Sequence, residues 1–156
     1  MHVAIAPTKQ IDRIEWFVEK AIEIGIDEIS FIKCKNSERT VVKIDRIKSI
    51  AESAVKQSKQ AFIPKINELT DFSKIVLTDA DLKCIAHCND GDKLSLKNQN
   101  FKDKSVFILI GPEGDFTTGE VELANKNSFV SIELGVNRLR TETAGLYAVQ
   151  AVSILT

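Results

Sequence analysis

The chain has little of what marks several large protein classes. Cysteine is scarce: Cys34, Cys84 and Cys88 are an odd number, without the paired spacing of a disulfide framework or a zinc site. A reducing compartment, the cytoplasm, fits that usage. Cys84, His87 and Cys88 lie close together, but no second pair of ligand-type residues stands elsewhere. They are read as small buried side chains, and no metal is expected. No apolar run approaches the roughly 20 residues of a membrane-spanning helix. Met1 leads straight into His-Val-Ala-Ile-Ala, with no charged region or apolar signal core. A soluble protein that is not exported is therefore expected. Neither a Gly-x-Gly-x-x-Gly nor a Walker pattern occurs, which disfavours a dinucleotide or a nucleoside triphosphate. Internal repeats and low-complexity tracts are absent as well.

A charge excess is also missing. The chain carries 21 basic and 22 acidic residues, so its total charge gives no argument for nucleic acid. The distribution is less even. From Lys33 to Lys59 there are eight basic residues (33, 35, 39, 43, 46, 48, 56 and 59) against three acidic ones (38, 45 and 52). This excess is suited to RNA phosphates, and equally to a solvated helix face.

What is present is one domain's worth of core. At 156 residues and 44% hydrophobic composition the chain can bury a single substantial interior. A short buried strand is predicted over residues 3–6, ended by Pro7. A helix follows with Ile11, Ile14, Phe17, Val18, Ala21 and Ile22 at helical spacing, closed by Gly25. A second strand is predicted over 29–32, then a helix with Ile44, Ile47, Ile50, Ala51 and Ala54 on one face. Residues 75–77 and 84–86 read as short strands, and 89–104 as a polar, mobile surface connection.

The C-terminal third is the most regular. It reads as a strand over 106–110, a Gly-Pro-Glu-Gly turn, a helix over 118–126 opened by a Thr117/Glu120 capping box, a strand over 129–133 and a helix over 142–155. The final helix is apolar on most sides, which predicts burial in the core or against another copy of the chain. Alternating elements of these lengths predict an α/β domain with a mainly parallel sheet and helices on both faces.

In such a sheet ligands collect at the carboxyl ends of the strands. Three ends stand out: Ile85-Ala86-His87-Cys88; Leu109-Ile110-Gly111-Pro112-Glu113-Gly114-Asp115-Phe116; and Leu134-Gly135-Val136-Asn137-Arg138-Leu139-Arg140-Thr141-Glu142-Thr143-Ala144. The glycines allow close backbone approach. Arg138, Arg140 and Glu142 alternate just before an apolar helix, where charge is costly unless solvated or paired. Glu142 near a helix N-terminus also has a purely structural explanation.

Four strings in order resemble the RsmE family of 16S ribosomal RNA uridine-N3 methyltransferases. They are Lys20-Ala21-Ile22-Glu23-Ile24-Gly25-Ile26-Asp27-Glu28-Ile29, Gln57-Ser58, Ile110-Gly111-Pro112-Glu113-Gly114 and Leu139-Arg140-Thr141-Glu142-Thr143-Ala144. The resemblance runs over nearly the whole chain, and it implies a SPOUT-type fold with a deep trefoil knot at the C-terminal side. It implies S-adenosylmethionine held by His87, Ile110, Gly111, Pro112, Glu113, Gly114, Leu134, Gly135, Leu139, Arg140 and Thr141.

The chemistry it implies is methylation of a uridine N3. Arg140 would stabilise developing negative charge, Arg138 would assist or grip phosphate, and Glu142 would accept a proton, orient an arginine or only fix the loop. The partners implied are 16S rRNA in the small subunit and a second copy of the chain. Two departures stand out: Asp115 replaces a frequent second glycine, and Asn137-Arg138 shifts an arginine by one place. The family's N-terminal PUA-like β-barrel domain has no counterpart in residues 1–156, so weak RNA affinity is expected of this chain alone. Other readings remain: a ribose 2′-O-methylating relative, whose arginine motif on an early helix is not recognised here; a non-catalytic RNA-binding module of the same fold; or a generic nucleotide-binding α/β protein.

Overall fold

The computed structural model describes residues 1–156. Seven strands, β1 (His2–Ile5), β2 (Glu28–Lys33), β3 (Lys65–Asp71), β4 (Leu82–Ala86), β5 (Leu94–Ser95), β6 (Val106–Ile110) and β7 (Val130–Glu133), form one sheet. Their spatial order is β3-β2-β1-β6-β4-β7-β5, and every pairing is parallel. The helices are α1 (Ile11–Ile24), α2 (Ile44–Ser58), the single turn α3 (Phe72–Ile75), α4 (Thr118–Lys126) and α5 (Thr141–Leu155).

Handedness assigns the helices to faces. From β1 to β3 the chain steps outward in one direction, whereas from β6 to β7 it steps the other way. Right-handed crossovers then put α1 and α2 on one face and α4 on the opposite face. The core divides accordingly. Val3, Ile5, Ile108 and Ile110 point to the α1, α2 and α5 side, while Ala4, Ala6, Phe107 and Leu109 point to the α3 and α4 side. The predicted α/β class with a parallel sheet and helices on both faces is the observed architecture.

Local signals explain the boundaries. Gly25 ends α1 in the left-handed conformation at φ 109°. The capping box that opens α4 is complete: Thr117 Oγ1 accepts from the Glu120 N–H, and Glu120 accepts from the Thr117 N–H. On α5 only one face is deeply buried, through Gly145, Ala148, Val149 and Val152, and Ile154 and Leu155 are exposed. A Cβ on Gly145 would lie 2.8 Å from the Phe17 ring, so α5 packs on α1 at a distance only glycine permits.

Three expectations need correction. Residues 75–77 are not a strand. Phe72, Ile75 and Val76 are buried together at helical spacing in and just after α3, and Leu77 is exposed. Residues 89–104 are not a featureless connection: they contain β5, a 3-10 turn at Leu96–Asn98, and the fully buried Leu96 and Phe101. Cys88 is exposed, although Cys34 and Cys84 are buried as expected. Burial pushes the Cys84 thiol up to about 11 and raises that of Cys34 as well.

Candidate active site

The carboxyl ends of β4, β6 and β7 open into one cleft of about 770 Å³. Its inner lining is apolar, from Ile110, Leu134, Leu139 and Ala144, and its rim carries Lys93, Glu113, Arg138 and Arg140.

The turn after β6 forms one wall. Gly111 closes against Phe116, whose ring would be 3.1 Å from an added Cβ. Asp115 adopts φ 64°, a left-handed conformation that aspartate tolerates better than most residues. Its carboxylate accepts the Cys88 N–H at 2.7 Å and the Phe116 N–H at 2.8 Å. The departure from glycine thus ties this turn to the end of β4. Asn36, from the loop after β2, donates to the carbonyls of Gly114 and Asp115.

Residues 134–140 form the other wall and lead into α5. Gly135 lies at φ 143°, a conformation that excludes side chains at little cost to glycine. Thr141 joins the walls: its buried hydroxyl donates to the Gly111 carbonyl at 3.0 Å. No backbone hydrogen bond of the protein involves residues 134–139. A ligand in the cleft therefore meets an apolar slot edged by unpaired backbone donors and acceptors.

The cleft brings together nearly all the residues expected there: His87, Ile110, Gly111, Pro112, Glu113, Leu134, Gly135, Arg138, Leu139, Arg140 and Thr141. Two are elsewhere. Gly114 faces Asn36, with an added Cβ only 3.0 Å from that side chain. Glu142 is buried outside the cleft, where its Oε1 stands 3.5 Å from Arg13 Nη1 on α1 and its Oε2 has no partner.

The two arginines also differ. Arg138 Nη2 donates to the Glu113 carbonyl at 3.3 Å, whereas Arg140 is exposed and its guanidinium has no hydrogen bond or ion pair. Burial lowers the pKa of the His87 imidazole, Lys93 pushes it the same way, and Asp115 opposes them. Both ring nitrogens of His87 are buried and lack a side-chain hydrogen-bond partner.

Sequence reasoning missed Lys9, Arg13, Asn36 and Lys93. Asn36 supports the wall from 78 positions away, and Arg13 meets Glu142 from 129 positions away, so no local pattern announces either contact. In the basic stretch, Arg39 is engaged by the Thr8 and Lys9 carbonyls and Arg46 by Glu15, leaving the exposed lysines without carboxylate partners.

Comparison with known proteins bears on the family and the fold. The RNA methyltransferase domain family matches residues 1–153. Ribosomal RNA small subunit methyltransferase E of Bacillus subtilis is 32% identical over 93% of this chain and 62% of its own length. A probable rRNA-methyltransferase from Porphyromonas gingivalis superposes with a TM-score of 0.94 at 42% identity, covering 99% of this chain and 66% of that one. Ribosomal RNA small subunit methyltransferase E of Neisseria gonorrhoeae, solved bound to S-adenosyl methionine, gives a TM-score of 0.84 at 27% identity over 99% of this chain and 65% of its own. The chain spans about three-fifths of the length of the curated relatives it matches. By the match across its length, the chain belongs to the RNA methyltransferase domain family.

Proposed function

We propose that the chain is the catalytic domain of a SPOUT-type enzyme that methylates N3 of a uridine in 16S ribosomal RNA, using S-adenosylmethionine. The observation that carries this reading is one cleft combining an apolar slot, an unpaired loop backbone and a free guanidinium, Arg140. The cofactor has no phosphate, and no phosphate cradle is present. Ile110, Leu134, Leu139 and Ala144 would enclose its adenine, and the backbone of 134–139 would hydrogen-bond its edge. The S-adenosyl methionine in the Neisseria gonorrhoeae relative supports this assignment.

When bound, the cofactor supplies an electrophilic methyl group on a sulfonium. The protein's contribution is positioning and charge. As the N3 proton of uracil passes to solvent water, negative charge spreads over N3 and its two carbonyl oxygens, and Arg140 stabilises it. Glu142 lies outside the cleft and acts instead on the start of α5 through Arg13.

A trefoil knot at the C-terminal side accords with the fold shared with the Neisseria gonorrhoeae relative. The exposed Ile154 and Leu155 on α5 support a homodimer, and sedimentation at micromolar concentration tests it. Work on the small subunit in the cytoplasm accords with two buried free thiols and with the absence of any helix long and apolar enough to cross a membrane. The decisive experiment is Arg140→Ala assayed for methyl transfer to small subunits. Loss of transfer with unchanged thermal unfolding is the expected result, and a fully active variant would overturn the assignment.

A further inference from the structure

The two walls of the cleft are held very differently. The wall at 111–116 is fastened to three other loops. Glu113 Oε1 accepts the Lys9 N–H at 2.9 Å, Asn36 Nδ2 donates at 3.1 Å to the carbonyls of both Gly114 and Asp115, and Asp115 Oδ2 accepts the Cys88 N–H. The facing wall, residues 134–139, has no backbone hydrogen bond and a single polar tie, from Arg138 Nη2 to the Glu113 carbonyl. Gly135 at its base lies at φ 143° in open space, and Val136 at its tip is a fully exposed apolar side chain beside an apolar cleft.

We propose that residues 134–139 close over the bound cofactor, and that Arg138 is the positioning residue that latches them to the fastened wall through the Glu113 carbonyl. This rests on the cofactor reading above. A segment without internal hydrogen bonds opens at little cost, and glycine at its base supplies the turning point. Ligand in the cleft gives its unpaired backbone groups partners, which shifts the segment toward the closed position. The latch closes on a fixed point, because Glu113 is itself anchored by the Lys9 N–H. Arg138 is thereby separated from Arg140: one holds the wall, the other faces the reacting base.

The test uses the full chain and the unreactive product S-adenosylhomocysteine. Hydrogen exchange should slow about tenfold or more at 135–139 on binding and change little at 111–116. Arg138→Ala should raise the dissociation rate about tenfold and leave association within about twofold, and Arg138→Lys, which keeps a donor, should recover part of the loss. Thermal unfolding of both variants should match the parent. Unchanged exchange at 135–139 in the liganded protein, or unchanged dissociation from Arg138→Ala, overturns the latch. Absence of measurable binding by the parent chain overturns the cofactor reading as well.

Discussion

Arg13 and Glu142 face each other across the starts of α1 and α5, with Nη1 and Oε1 3.5 Å apart and the second carboxylate oxygen buried without a partner. Glu142 is nine-tenths buried and Arg13 about one-third exposed, so the carboxylate carries most of the desolvation cost. Removing the guanidinium alone strands a buried charge.

Arg13→Ala is accordingly expected to destabilise the fold by about 2 kcal/mol, below the ~3–5 kcal/mol of fully buried pairs because Arg13 is partly solvated. Glu142→Gln should cost less, and the double variant less than the sum of the singles. Urea unfolding of all three proteins measures this. In the transfer assay Glu142→Gln should keep most of its turnover. A loss as large as that of Arg140→Ala would mean that Glu142 does take part in the chemistry.

Thr141→Val keeps the side chain's shape and removes the hydroxyl that donates to the Gly111 carbonyl. The bond is buried, so a cost of about 1–2 kcal/mol is expected. The two walls also lose their direct link, and cofactor affinity should fall with stability. A variant of unchanged stability and unchanged affinity would show that the hydroxyl joins nothing of consequence.

Stability should fall in mild acid because of His2. Its ring stacks on Phe107 at 4.3 Å and its Nε2 meets Ser30 Oγ at 2.8 Å. Burial lowers its pKa from 6.5 to about 4, against the opposing pull of Glu28. Between those values the unfolded chain binds the proton and the folded one does not, so stability is full above about pH 6.5 and is lost as pH falls toward 4. At 1.36 kcal/mol per pH unit, and allowing for partial solvation, the loss is roughly 2 kcal/mol. His2→Asn should flatten this part of the pH profile, measured by thermal unfolding between pH 7 and 4.

Much of the fold was legible where local chemistry sets the element. The Thr117/Glu120 pair fixed the start of α4, Gly25 the end of α1, and the apolar run of β6 a fully buried central strand. β3 was not legible, because an edge strand reading Lys-Ile-Asn-Glu-Leu-Thr-Asp carries the charges that protect an exposed edge and so lacks a strand's apolar alternation. The helical spacing of Phe72, Ile75 and Val76 was hidden by the contiguous run 75–77. At the site, glycines and strand ends marked both walls. Which charge faces the cleft depends on side-chain direction, and there Glu142, three positions from Leu139, turns to α1 instead.

The Thr141–Gly111 link also sets an order of events. A wholly parallel sheet gains its contacts across long stretches of chain, which slows folding relative to local architectures. The cleft needs β4, β6 and β7 in place and then α5 docked on α1, β1 and β6, so it is among the last features of the domain to assemble during synthesis. Ligand binding then reports that the entire domain has folded: a nascent chain halted before Thr141 has the sequence of all seven strands but no closed second wall.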